Sequence, residues 1–358
     1  MQVDASVKKV LMYRLGSLGD TVVALPSYHL IARAFPNAER VLLTNIPVHA
    51  KAPAAAAVLG DSGLVHGYMR YTVGTRNIGE LLRVVWEVRR FRPEVLVYLM
   101  SSRGEIVAGR DVRFFRFCGI RRIIGLPSGD MTENRYDPER DLWESEAARQ
   151  LRSLRVLGDV DVDDLRNWDL RLTDAETGRA EKLLAPFGSL PIIACGPGTK
   201  MQAKDWGQDK WRALLERLSV VLPGHALALI GAREDIEVSK YAAAGWNGPV
   251  LNFCGELTPR ESAAVIRRAR LFLGPDSGPM HLAAAYGVPC AIAFASLDLR
   301  GRWFPVGEGH RPIYHSVECS NCRLEVCIET KKICITSITV EEMLQAALQA
   351  IRHGESVK

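Results

Sequence analysis

Three loops in the 358-residue sequence carry side chains that could bind an anion or move a proton. The first, Tyr13-Arg14-Leu15-Gly16-Ser17-Leu18-Gly19-Asp20, follows a short apolar run. Its two glycines permit a tight turn, and Asp20 stands where the next helix should begin. A carboxylate there either favours the helix N-terminus electrostatically or serves as a general base at the carboxyl edge of a sheet. No glycine occurs between Thr21 and Leu25, so a dinucleotide fingerprint is incomplete. In the second loop a strand ending near Leu273 runs into Gly274-Pro275-Asp276-Ser277-Gly278-Pro279-Met280-His281. Pro279 suits the first helical position, and free N–H groups at that helix start would face a phosphate. Asp276 suits sugar hydroxyls or a helix cap, and His281 a ligand or a satisfied core position. The third loop, Cys195-Gly196-Pro197-Gly198-Thr199-Lys200-Met201-Gln202-Ala203-Lys204-Asp205-Trp206, offers glycines, a hydroxyl and two lysines suited to a diphosphate. It lacks the GxxxxGK[ST] spacing of a P-loop, and its lysines are otherwise solvated surface groups.

These loops need sheets to carry them. Val10–Tyr13, Val41–Thr44, Val95–Leu99 and Ile123–Leu126 read as buried strands, with helical periodicity over Ser27–Phe35, Ile78–Phe91, Glu105–Phe117 and Trp143–Leu157. The pattern restarts with strands at Pro191–Cys195, Ala226–Ile230, Val250–Phe253, Leu271–Leu273 and Cys290–Ala295. Helices near Lys210–Val221, Asp235–Ala244, Pro259–Ala269 and Pro279–Tyr286 separate them. Such alternation predicts an α/β protein with two Rossmann-like parallel sheets covered on both faces. The expected division is 1–172, 173–338 and a C-terminal helix 339–358, the last marked by a Thr339/Glu342 capping box and an Ile338/Met343 staple.

Composition narrows the classes. With 47% apolar and 24% charged residues, a core is affordable and disorder is not expected. The net charge of +5 is too small to make nucleic acid the default partner. No run reaches the roughly 18 apolar residues of a membrane span, and MQVDASVKKV has no signal-peptide core, so a soluble, cytoplasmic protein is expected. The charge is unevenly spread: between Arg83 and Arg122 stand ten arginines against four acids. This stretch is either a solvated face or one drawn to an anionic acceptor or membrane surface, with Arg103 and Arg110 placed nearest the acceptor. Cys319, Cys322, Cys327 and Cys334 lie close enough in sequence to hold a structural zinc or iron, with disulfides or free thiols as alternatives. Asp159-Val-Asp161-Val-Asp163-Asp164, before a strand expected near Trp168, lacks the Gly and Glu of a calcium loop and reads as a solvated acidic turn.

RLGSLGDTVVALPSYHLIARAFP and GPDSGPMHLAAAYGVPCAIAF resemble the signature segments of the family nine glycosyltransferases, the ADP-heptose:lipopolysaccharide heptosyltransferases. CGPGTKMQAKDW, LIGAREDIE and CGELTPRESAAVIRRA fit as well, so the resemblance spans nearly the whole chain. It implies a GT-B fold, two Rossmann-like domains facing across a cleft, and an inverting transfer of heptose from ADP-heptose to an inner-core sugar of a lipopolysaccharide precursor without a catalytic metal or other cofactor. Carried over by position, Asp20 would be the catalytic base, with Arg14, Ser17 and Gly19 on the acceptor. Lys204, assisted by Thr199 or Lys200, would neutralise the diphosphate, and Asp276, Ser277, Gly278, Pro279, Met280 and His281 would form the donor loop. Glu234, or Asp235 beside it, would meet the nucleotide ribose. The partners implied are a nucleotide sugar and an anionic glycolipid, with peripheral contact at the inner face of the cytoplasmic membrane. Asp141-Leu142-Trp143-Glu144 stands where the family often has a histidine, which leaves the acceptor open. Another nucleotide sugar, a protein or secondary-metabolite acceptor, or a non-catalytic nucleotide-sugar-binding protein are the alternatives.

Overall fold

A computed structural model describes residues 3–46, 53–101, 104–126, 129 and 133–356. The chain divides into two compact units, Met1–Arg171 and Leu172–Lys358.

The first unit is built on strands β1 (Lys9–Tyr13), β2 (Glu39–Asn45), β3 (Gly67–Tyr71), β4 (Val95–Tyr98) and β5 (Arg122–Ile124). All pair in parallel in the order β3-β2-β1-β4-β5. Val10, Leu11, Met12, Val95, Leu96 and Val97 are wholly buried, as the two central strands of a sheet covered on both faces should be. Helices Leu18–Val23, Leu25–Ala34, Ile78–Phe91 and Glu105–Phe117 follow the strands. The helix expected over Trp143–Leu157 begins later, at Glu146, because the Ser145 hydroxyl accepts from the Ala148 N–H (3.2 Å) and sets its start. Leu142–Trp143 (β7) instead pairs antiparallel with Tyr136–Asp137 (β6), with the Tyr136 and Trp143 rings 5.2 Å apart. The strand expected near Trp168 is a 3-10 turn, Leu165–Trp168, capped by Asp164.

The second unit contains β8 (Ile192–Cys195), β9 (Ala226–Leu229), β10 (Val250–Asn252), β11 (Ala269–Pro275), β12 (Cys290–Phe294) and β13 (Arg311–Tyr314). They form a six-stranded parallel sheet ordered β10-β9-β8-β11-β12-β13. Trp206 and Trp211 meet edge to face 4.7 Å apart within its core, and the Trp206 indole N–H donates to the Ile338 carbonyl (3.0 Å). That bond ties the segment after β8 to the start of the last helix, Val340–Ser356, whose Thr339/Glu342 capping box is formed.

In each sheet the order reverses beside the first strand, at β1/β4 and β8/β11. Open α/β sheets present ligand crevices at the carboxyl ends of such strand pairs.

Candidate active site

In the first unit the loop after β1 enters helix Leu18–Val23 with Ser17 as N-cap and Asp20 in the first turn. Asp20 Oδ2 accepts from the Ser17 N–H (2.9 Å) and hydroxyl (3.3 Å), and Asp20 Oδ1 lies 3.4 Å from Arg14 Nη2. The carboxylate thus does cap its helix, yet it keeps 30% of its side-chain surface open. Arg14 is buried and spans the strand switch, donating to the Leu99 carbonyl (2.8 Å) and Ser101 hydroxyl (3.2 Å) after β4 and to the Asp20 carbonyl (3.2 Å).

Behind it stands a charged group that periodicity had hidden. Glu146 is fully buried and accepts from Arg149 Nη2 (2.7 Å) and Nε (3.2 Å), with Arg14 Nη1 at 3.9 Å. Arg149 also donates to the Met100 carbonyl (2.9 Å). Arg14, Arg149, Glu146 and Asp20 therefore balance in charge, which is the condition for keeping such groups out of water. The Asn45 side chain, at the end of β2, accepts from the Gly16 N–H (2.8 Å) and completes the loop.

In the second unit Lys204, at the end of the 3-10 turn Gln202–Lys204, forms an ion pair with Asp276, which follows β11. The pair joins the loops leaving β8 and β11 across the switch, with Asp276 buried. Ser277 is the N-cap of helix Gly278–Ala285, and its buried hydroxyl oxygen has no partner among the described residues. An unpaired hydroxyl beside a helix start and a lysine is a setting for phosphate oxygens. Gly278 rather than Pro279 opens that helix, with proline second. Met280 and His281, in its first turn, are buried.

The other expected residues are placed as follows. The Thr199 hydroxyl accepts from the Met201 N–H (3.3 Å) and so shapes the loop, while Lys200 is exposed. Glu234 is exposed, whereas Asp235 is buried and accepts from the Ala232 N–H (2.9 Å). Asp235 also packs against Gly198, where a Cβ would come within 2.2 Å of its carboxyl carbon, so Asp235 shapes the loop. Gly19 lies in the first turn of helix Leu18–Val23. Arg110 is exposed and pairs with Asp111 (3.2 Å), which in turn accepts from the Tyr98 hydroxyl (3.0 Å). Arg103 lies outside the described residues.

The cysteine spacing does not translate into a gathered ligand set: among the described residues no group of three or more His, Cys, Asp or Glu side chains could hold one metal ion. The Cys327 thiol is held 3.1 Å from the Thr330 hydroxyl, which together with nearby N–H groups and Lys332 lowers its pKa, while Cys334 is buried in the core. Cys319 lies 3.7 Å from the same hydroxyl. No helix among the described residues is long and apolar enough to cross a membrane.

Comparison with known proteins gives a consistent kinship. The profile of glycosyltransferase family 9 (heptosyltransferase) matches residues 135–333. Lipopolysaccharide heptosyltransferase 3 of Escherichia coli is 30% identical over 297 residues, covering 78% of this chain and 81% of that protein. Among solved structures, E. coli ADP-heptose lps heptosyltransferase II superposes with a TM-score of 0.66 at 17% identity, over 97% of this chain and 99% of that one. E. coli heptosyltransferase WaaC with ADP-2-deoxy-2-fluoro heptose does so with a TM-score of 0.58 at 14% identity, over 88% and 97%. The two parallel-sheet units are those of the GT-B fold these enzymes share. On the extent of the family match and the 30% identity to a relative covered over 81% of its length, the chain is a glycosyltransferase and belongs to family 9, the heptosyltransferases.

Proposed function

We propose that the protein transfers heptose from ADP-heptose to an inner-core sugar of a lipopolysaccharide precursor, with inversion at the anomeric carbon and without a catalytic metal. The observation that carries the donor side is the Lys204–Asp276 pair beside the Ser277-capped helix start. In this reading Lys204 turns to the diphosphate when the donor arrives, the N–H groups and hydroxyl at Ser277 take phosphate oxygens, and Asp276 accepts sugar hydroxyls. In the same reading Glu234, exposed in the 3-10 turn Arg233–Asp235 after β9, accepts from the ribose. Kinship supports the donor: a solved relative is described with ADP-2-deoxy-2-fluoro heptose.

Asp20 is the proposed base. As the acceptor oxygen attacks the anomeric carbon and the C–O bond to ADP breaks on the opposite face, the acceptor proton passes to the Asp20 carboxylate. Arg14 and Ser17 hold that carboxylate in place. Asp20→Asn should retain ADP binding and lose about 100-fold or more in turnover. A thermal-shift comparison of ADP, GDP, UDP and CDP checks the donor, since a ligand bound only by the native state raises its melting temperature. Selective stabilisation by ADP is the expected result, and equal response to all four refutes the assignment.

The acceptor is read as an anionic glycolipid met at the membrane surface. Helix Ile78–Phe91 buries Val84, Val85, Val88 and Phe91 but leaves Ile78 (72% exposed), Leu82 (59%) and Trp86 (57%) on one outward stripe. The Arg90 guanidinium lies 5.0 Å from the Trp86 ring centre, and Arg89 lies 4.8 Å from that of exposed Phe117. An adjoining groove of about 700 Å³ is lined by Lys9, Arg70, Arg83 and Arg90 together with Glu39 and Glu87, and Arg83 pairs with Glu87 (2.6 Å). Apolar side chains ringed by arginine suit the headgroup boundary of an anionic leaflet.

A further inference from the structure

The cysteine-bearing segment packs against the turn that carries Lys204. Between Glu325 and Lys332 it makes every one of a set of polar contacts to residues 202–205. The Ala203 N–H donates to the Glu325 carbonyl (3.1 Å), and the Cys327 N–H donates to the Gln202 side-chain oxygen (2.9 Å). The Gln202 side-chain amide donates back to the Cys327 carbonyl (3.4 Å), and Lys332 donates to the Asp205 carbonyl (3.0 Å) and carboxylate (3.1 Å). Farther back, the Asn321 and Arg323 N–H groups donate to the Ser296 (2.8 Å) and Leu297 (2.9 Å) carbonyls after β12. The segment is thus tied at one end to the sheet and at the other to the turn that carries Lys204.

It also holds unusual backbone. Of seven non-glycine residues with positive φ among the described residues, four are Asn321, Arg323, Lys331 and Lys332. Such conformations cost free energy and persist where the surroundings enforce them.

We propose that residues 319–334 are a positioning strap for Lys204, and that Gln202 is the positioning residue through which it acts. Gln202 reads both polar groups of Cys327 and so fixes the turn whose last residue meets Asp276. The inference rests on the reading of Lys204 as the lysine that meets the donor diphosphate. The exposed Gln202 side chain, two residues before that lysine, is matched by both polar groups of a peptide 125 residues away, a two-point contact that resists rotation of the turn.

The test uses the full chain with Gln202→Ala, Gln202→Glu, Lys204→Ala and the Gln202→Ala/Lys204→Ala double variant. Without ligand, amide exchange at Ala203 and Lys204 should quicken in Gln202→Ala at unchanged melting temperature. With ADP as probe, Gln202→Ala should weaken binding about 10-fold. The expected kinetic signature is a raised donor KM with kcat nearly unchanged. Gln202→Glu, which still accepts from the Cys327 N–H, should fall between. In the Lys204→Ala background the Gln202→Ala change should add nothing, because interacting residues are non-additive. Additive losses overturn the strap, as does exchange unchanged by Gln202→Ala, whatever the protein binds. Failure of the unsubstituted protein to bind any nucleoside diphosphate would instead strike the donor reading.

Discussion

Gly16 and Asp20 touch across a single turn: a Cβ on residue 16 would lie 2.3 Å from the Asp20 Cβ and 2.7 Å from its Oδ2. With φ at +148° as well, residue 16 has both a steric and a conformational reason to be glycine. Gly16→Ala should therefore push the carboxylate away from Ser17 and Arg14. Turnover should drop by about 100-fold, the scale of a lost general base, while ADP binding stays as it was. Turnover within a few-fold of the unsubstituted enzyme would show that the placement of Asp20 is not critical.

Glu146 lies between two buried guanidinium groups. Glu146→Gln leaves Arg14 and Arg149 with one carboxylate fewer, and breaking a buried pair in this way costs about 3–5 kcal/mol. Chemical denaturation should report a loss of that order, and a loss below about 1 kcal/mol would show that the buried cluster does not depend on Glu146 for its charge balance.

Stability should fall on mild acidification. Burial lowers the His310 pKa from 6.5 to about 4, with the neighbouring Arg311 and His353 acting in the same direction. Between those values the unfolded chain binds a proton at this residue and the native protein does not, so native stability is full above pH 6.5 and declines as pH falls toward 4. Melting temperatures recorded across that window should show a shallower slope for His310→Gln. An identical slope would assign the acid sensitivity to other groups.

The membrane contact proposed for helix Ile78–Phe91 can be measured directly. Leu82→Ser/Trp86→Ser removes two of the outward apolar side chains and touches none of the buried face. Co-sedimentation with vesicles containing phosphatidylglycerol should weaken by about 10-fold or more, and binding should decrease with added salt. Sedimentation equal for neutral and anionic vesicles would exclude the arginine rim, and a change in oligomeric state instead would assign the stripe to a second copy of the chain.

The central strands could be read from the sequence because burial on both faces leaves an unbroken apolar run, as in Val95–Tyr98 and Cys290–Phe294. Of the four edge strands, β5 and β10 were legible as well, whereas β3 and β13 were not. β3 (Gly67–Tyr71) and β13 (Arg311–Tyr314) are half-buried, carry arginine, and in β13 include a proline that an edge tolerates. The start of the helix at Glu146 was obscured because Trp143, Ala147, Leu151 and Leu154 keep helical spacing, although Trp143 sits in a hairpin. The loops bearing Asp20, Lys204 and Asp276 were legible from glycine, acid and lysine placed after strands. Glu146 and Arg149 were not, since charges on an amphipathic helix ordinarily face water. Gln202 offered no local signal at all, because its partner is 125 residues farther along the chain.

That separation has a consequence for the order of events during synthesis. A nascent chain that has reached His281 already contains every loop of the second unit that the donor is read to need, yet not Glu325, Cys327 or Lys332, which shape the Lys204 turn, nor Ile338, which anchors Trp206. The nucleotide-binding loops would therefore be synthesised before the residues that hold their shape, and the Lys204 turn would set only once Ile338 has been made.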